Sequence, residues 1–182
     1  MTAAVALLRG VNVGGHRKMP MAELRGLAID LGLEQVATYV QSGNLVFRTK
    51  AKVDARLARK VEAAIAERFG FTSEVILRTA LEIRAVVEAN PWAKRPAWDS
   101  AKLLVTFLRE DPGGAARERV LALNGGPEEL WISGRELFVY YPAGIGRAKL
   151  TPSKIDQALG KVVGTGRNWK SVLALLAMAE AP

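Results

Sequence analysis

The sequence predicts an α+β fold made of two tandem ferredoxin-like (β-α-β-β-α-β) subdomains with a C-terminal helix. Two observations carry this. β-rich runs and helically spaced apolar residues follow one another in that order up to about residue 89, and the same order begins again at residue 101. The hairpins also echo each other in letters, Ser42-Gly-Asn-Leu-Val-Phe47 against Ser133-Gly-Arg-Glu-Leu-Phe138.

Val5–Leu8 is a short apolar run followed by loop glycines, and reads as the first strand. Met21, Leu24, Leu27, Ala28 and Leu31 recur at helical spacing after Pro20, which suits the first helical position, and Gly32 ends that helix. Val36–Val40 and Asn44–Arg48 are strands joined through Gln41-Ser-Gly. Leu57, Val61, Ala64 and Ile65 mark a second helix stopped by Gly70, and Glu74–Arg78 is the fourth strand. Thr79-Ala-Leu-Glu82 fits a capping box for a helix reaching Ala89.

Residues 90–100 hold two prolines and two tryptophans, and are expected to form a non-helical connector between subdomains 1–89 and 101–182. Trp92 and Trp98 are expected to pack between the domains. Beyond them, Lys102–Leu108 is a strand, and Asp111-Pro-Gly-Gly114 opens a helix carrying Val120, Leu121 and Leu123. Leu130–Ile132 and Glu136–Tyr141 form a hairpin. Thr151-Pro152 caps a helix ending at Gly160, Val162–Thr165 is a last short strand, and Asn168 caps the closing helix. In this topology the glycine loop after the first strand and the Gln41–Asn44 hairpin leave the same end of the sheet. Gly144–Leu150 leaves the end opposite Ser133–Arg135.

The 182 residues carry 26 Lys and Arg against 18 Asp and Glu, a formal charge of +8, divided equally between the halves. Such a balance favours anionic partners, nucleic acid or a phosphorylated metabolite, and equally suits a solvated basic surface. The absence of cysteine excludes disulfides, thiol nucleophiles and cysteine–metal sites, and a single histidine, His16, cannot form a histidine cluster. No cofactor is implied. No apolar run reaches the roughly 18 residues a membrane span needs. The first residues lack a basic leader pattern, so a cytoplasmic protein with no membrane partner is expected. No readable pattern sets the oligomeric state.

Two glycine-basic loops are the candidate sites. Arg9-Gly-Val-Asn-Val-Gly-Gly-His-Arg-Lys18 offers backbone N–H groups and cations to an anion, with Arg9, Asn12, Gly14, Gly15 and Lys18 as contacts. The same glycines serve a tight turn with positive φ equally well. Gln41, Ser42 and Asn44 lie at the same end and suit a polar ligand or an ordinary turn. The stretch Gly144–Lys170 holds six Lys or Arg against Asp156 alone, and reads as the most basic part of the chain. It supplies Arg147, Lys149, Arg167, Asn168 and Trp169, the last two also suiting a helix cap and a core anchor. Tyr140 and Tyr141 could stack on a base or alternate between core and surface. The serines lack a base partner, and Glu62, Glu67 and Asp156 read as solvated helix faces.

Together Leu7-Leu-Arg-Gly-Val-Asn-Val-Gly-Gly15, Tyr39-Val-Gln-Ser-Gly-Asn44, Asn90-Pro, Tyr141-Pro-Ala-Gly-Ile-Gly-Arg-Ala-Lys-Leu150 and Thr165-Gly-Arg-Asn-Trp169 resemble the bacterial domain of unknown function 1697 family along essentially the whole chain. Ala148 stands where the family pattern leads us to expect a serine, which weakens a hydroxyl role there. The resemblance implies a two-subdomain α+β fold and no activity. The residues themselves favour a binding protein for an anionic ligand. An enzyme acting on a phosphorylated or nucleotide-like substrate and a protein-interaction module are the alternatives.

Overall fold

The computed structural model describes residues 1–181. Its elements run β1 (Thr2–Leu8), α1 (Met21–Asp30), β2 (Glu34–Tyr39), β3 (Asn44–Thr49), α2 (Ala55–Phe69), β4 (Val75–Thr79), α3 (Ala80–Glu88), β5 (Leu103–Leu108), α4 (Gly113–Leu121), β6 (Glu129–Ser133), β7 (Glu136–Tyr140), α5 (Pro152–Leu159), β8 (Gly164–Asn168) and α6 (Trp169–Glu180). Among the described residues this is a mixed α+β fold with six α-helices and two four-stranded antiparallel sheets, ordered β2-β3-β1-β4 and β6-β7-β5-β8. Two compact units result among the described residues, 1–85 with 173–181, and 86–172.

In the first unit, strand alternation divides the residues between two sheet faces. Ala4, Ala6, Leu8, Leu45, Phe47, Val75 and Leu77 meet Leu24, Leu27 and Ala28 of α1 and Leu57, Val61 and Ile65 of α2 in one core. On the other face Val5 is registered with Val46 and Arg78, and Leu7 with Asn44 and Ile76. All of these are buried, Arg78 to 1% exposure. The end of α6 lies along this unit, where the Arg48 guanidinium donates to the Ala181 carbonyl at 2.6 Å and Arg84 pairs with Glu180 at 2.6 Å.

Local chemistry sets the helix ends. The Asp54 carboxylate accepts from the N–H groups of Arg56 and Leu57 to start α2, and Gly70, at φ 71°, ends it. Thr79 and Glu82 exchange the bonds of the expected capping box. Pro20 has extended geometry and precedes α1 instead of opening it as its first helical residue. Glu62, expected on a solvated face, is half-buried and accepts from the Val75 N–H at 2.8 Å, tying α2 to the start of β4. Only the three-dimensional approach of β4 reveals that partner.

The second unit repeats the arrangement. Leu108, Leu130, Ile132, Leu137 and Val139 form its core with Val120 of α4 and Ile155 and Leu159 of α5. Thr151 caps α5, and the Asn168 side chain accepts from the Ser171 N–H at 2.8 Å near the start of α6.

Further expectations shift. The last strand is Gly164–Asn168, displaced from Val162–Thr165, because antiparallel pairing with β5 selects it, Val105 lying opposite Arg167. Its glycines allow close packing, since a Cβ on Gly164 would lie 2.8 Å from a Thr106 methyl. Trp92 and Trp98 pack within the second unit. Trp92 stacks on Tyr140 with centroids 5.7 Å apart, Trp98 meets Trp169 edge-on at 6.2 Å, and the Tyr140 hydroxyl accepts from the Asp99 N–H at 3.0 Å. The connector is therefore a structured part of that unit. Tyr140 and Tyr141 are both buried, Tyr140 under the stacked Trp92 and Tyr141 within the core of this unit.

Candidate functional site

The loop between β1 and α1 is anchored at both ends. Val11 and Met19 are buried in the core of the first unit, and residues 12–18 project between them. Val13 forms an antiparallel bridge with His16, and Gly14 and Gly15 take φ 58° and 78° between them, as a two-residue type I′ hairpin requires. The tip exposes Val13 (64%), His16, Arg17 and Lys18. Asn12, itself at φ 54°, holds the finger closed. Its amide donates to the Met19 carbonyl at 2.9 Å and the Gln41 carbonyl at 2.8 Å, while its carbonyl accepts from the Met19 N–H at 2.8 Å.

Those bonds bring the Gln41–Asn44 hairpin beside the finger, at the end of the sheet where the topology places it. Asn44 is fully buried and donates to the Tyr39 carbonyl at 3.0 Å and the Ser42 hydroxyl at 2.9 Å, while Gln41 and Ser42 remain exposed. Gly43 packs against the loop so closely that a Cβ would lie 2.5 Å from Val11 Cγ2. Arg9 is half-buried at the finger's base, with its N–H donating to the Glu74 carbonyl at 2.9 Å. Asn12 and Asn44 are thus engaged inside the protein, and the groups presented outward are cationic side chains, Gln41 and Ser42.

In the second unit the candidate residues separate onto two faces of the sheet. Lys149 lines a cleft of about 490 Å³ with Gly126, Glu128, Leu150 and Lys154. Glu128 is only 7% exposed, and its carboxylate accepts from the Lys149 N–H at 3.0 Å. Close by, burial and then the Glu128 charge push the Tyr141 hydroxyl up to about 12, and that hydroxyl has no hydrogen-bond partner among the described residues. Arg147 is exposed in a 3-10 turn, Ile145–Arg147.

Arg167 lies on the other face, registered with Val105 and 6% exposed. It donates to the Thr165 hydroxyl and the Gly166 carbonyl, both at 2.8 Å. Burial pushes its pKa down to about 10, which leaves a guanidinium charged at neutral pH. Trp169 is buried and Asn168 caps α6.

One basic concentration is absent from the sequence-based candidates. Residues 48–60 carry Arg48, Lys50, Lys52, Arg56, Arg59 and Lys60 against Asp54 alone, a denser run than Gly144–Lys170. Charge per unit length is the signal that finds it. Among the described residues no cluster of three or more His, Cys, Asp or Glu could hold a metal ion, and no helix is long and apolar enough to cross a membrane.

The class these features define is an α+β protein with two four-stranded antiparallel sheets and a clamped, basic glycine finger. The chain belongs to the family described as "Protein of unknown function (DUF1697)", which it matches over residues 1–138. No curated protein sequence matches it at a significant level. Among solved structures it is similar to that of the conserved bacterial protein SP0830 from Streptococcus pneumoniae, with 25% identity and a TM-score of 0.72 over 98% of this chain and 99% of that one.

Proposed function

We propose that the protein binds an anionic ligand, and that the ligand class the first unit serves best is nucleic acid. One observation supports this above all: Asn12 closes the finger through hydrogen bonds to Met19 and Gln41 while His16, Arg17 and Lys18 are exposed. A convex basic projection suits a phosphate backbone better than a small metabolite, which needs a concave pocket. Val13 at the tip and the exposed Gln41 and Ser42 supply apolar and polar contacts beside those charges. The test is fluorescence anisotropy with single-stranded and duplex oligonucleotides across a salt series. Binding that weakens steeply with salt supports the reading; absence of binding at low salt removes it.

The enzyme alternative has one supporting arrangement, the buried Glu128 near the Tyr141 hydroxyl with Lys149 and Lys154 on the same cleft. Buried acids beside cations are a recurrent acid–base setting. The interaction-module alternative draws on Trp131, half-exposed on the edge strand β6.

The finer fold assignment, two ferredoxin-like units related by duplication, is part of this reading. Its support is the matching strand order and a set of equivalent bonds. Leu8 and Leu108 N–H groups donate to the hairpin carbonyls of Gly43 and Arg135, and Arg9 and Arg109 donate to the segments before the fourth strands. Arg78 and Arg167 face Val5 and Val105 at the same point of each sheet. A cytoplasmic setting agrees with the lack of cysteine.

A further inference from the structure

At the end of the first sheet opposite the finger, the turn after α1 and the β3–α2 connection enclose a groove of about 800 Å³. Its length of chain is local: Leu31–Glu34, Thr49–Lys52, and the first turns of α2 as far as Lys60. Three leucines, Leu31, Leu33 and Leu57, give it an apolar floor, Leu33 and Leu57 belonging to the buried core. Lys50, Lys52, Arg56 and Lys60 surround that floor, against Glu34 and Asp54. Asp54 is engaged as the cap of α2, accepting from Arg56 and Leu57 N–H at 2.9 and 3.2 Å. The helix start is therefore already occupied, and recognition of an anion here falls to the side-chain cations.

We infer that this groove is a binding site for a small amphipathic anion, a molecule with an apolar body and a phosphate or carboxylate head. Three physical points select that chemistry. The volume lies in the range of small-molecule sites, about 300–1,000 Å³. Leu31, only partly buried, leaves apolar surface over the buried Leu33 and Leu57 that an organic body can cover and that offers nothing to a bare inorganic anion. The four cations draw the charged head to the rim, where ammonium and guanidinium groups make charge-assisted hydrogen bonds without the cost of full burial. Polymer binding by the finger and small-molecule binding by this groove involve separate residues, so the inference stands whether or not the finger binds nucleic acid.

Octyl phosphate is the probe, with inorganic phosphate and octyl glucoside as controls, followed by amide chemical-shift mapping on the whole chain. The expected result is saturable binding of octyl phosphate, with shifts centred on Leu33, Ala51 and Leu57, and weak or no binding of either control. The double variant Lys50→Glu/Lys52→Glu should weaken it by about tenfold or more, as loss of two charge-assisted contacts implies. Both substitutions lie in an exposed connection, and an unchanged spectrum elsewhere verifies the fold. Arg17→Glu/Lys18→Glu in the finger should leave octyl phosphate affinity unchanged. No saturable binding, shifts centred on residues 12–18, equal binding of inorganic phosphate, or affinity indifferent to the Lys50/Lys52 reversal would each overturn the assignment.

Discussion

The side-chain amide of Asn12 donates to the main-chain carbonyl of Gln41 at 2.8 Å, joining a loop and a hairpin 29 residues apart in the chain. The same side chain also closes the finger through both polar groups of the Met19 backbone. Asn12→Ala removes all three bonds. A loss of about 1–3 kcal/mol is expected in urea denaturation, allowing for partial solvation of the freed groups. Amide exchange at His16 and Met19 should quicken more than exchange in the sheet. Unchanged protection at both would show that the finger is held by other means.

Two glycines near this junction should respond differently to alanine. At Gly43 the new Cβ would meet Val11 Cγ2 at 2.5 Å and Leu8 Cβ at 2.8 Å, with φ at +71°. Overpacking and backbone strain together imply about 2–4 kcal/mol. Gly15 has φ +78° and open space around it, so Gly15→Ala should cost only the left-handed penalty, about 1–2 kcal/mol. Thermal melts of the two variants make the comparison directly.

Tyr141 supplies a prediction with a definite pH window. Its folded pKa is raised from 10.0 to about 12, so its contribution is fully present below pH 10 and is lost as pH rises through 12. Tyr141→Phe should flatten that part of the alkaline stability profile. At neutral pH it should be neutral, or stabilising by up to about 1 kcal/mol, because a buried hydroxyl without a partner is removed. Destabilisation beyond about 1 kcal/mol would reveal a hydrogen bond to that oxygen.

The connector should behave as part of the second unit. Trp92 is buried, stacks on Tyr140 and donates its indole N–H to Glu129 at 3.3 Å. Trp92→Ala is expected to cost about 3–5 kcal/mol, the range for removing a packed tryptophan. Hydrogen bonds from Arg95 and then Trp92 hold the Glu129 carboxyl below its ordinary 4.5. Its contribution is therefore present above that value and lost as pH falls through the lower folded pKa. Glu129→Gln should reduce the acid dependence of stability, read from urea midpoints between neutral and acid pH.

What the sequence revealed was chemistry complete within a few residues. Thr79 with Glu82, Thr151 before Pro152, Gly70 and Asn168 all act as their types and spacings predict, since a helix end is solved locally. Gly164-Thr-Gly-Arg-Asn168 is a poor strand by propensity and becomes one because β5 pairs with it. Glu62 and Glu128 gain their partners from Val75 and Lys149, across distances a helical pattern does not encode. The amides of Asn12 and Asn44 suit a ligand by type, yet the geometry engages them within the first unit. The Arg48–Lys60 charge run is denser than Gly144–Lys170 yet absent from the sequence-based candidates, and its apolar floor became visible only when Leu31, Leu33 and Leu57 came together.

The most direct measurement compares wild type with Arg17→Glu/Lys18→Glu for oligonucleotide affinity as salt is varied. Each phosphate contact adds about 0.9 to the slope of log affinity against log salt on duplex DNA, so losing two should lower the slope by about 2. Weakened binding with that shallower slope is the predicted result. Identical affinity and slope in the double variant, or no oligonucleotide binding by the wild type at low salt, would contradict a basic finger built to meet phosphate.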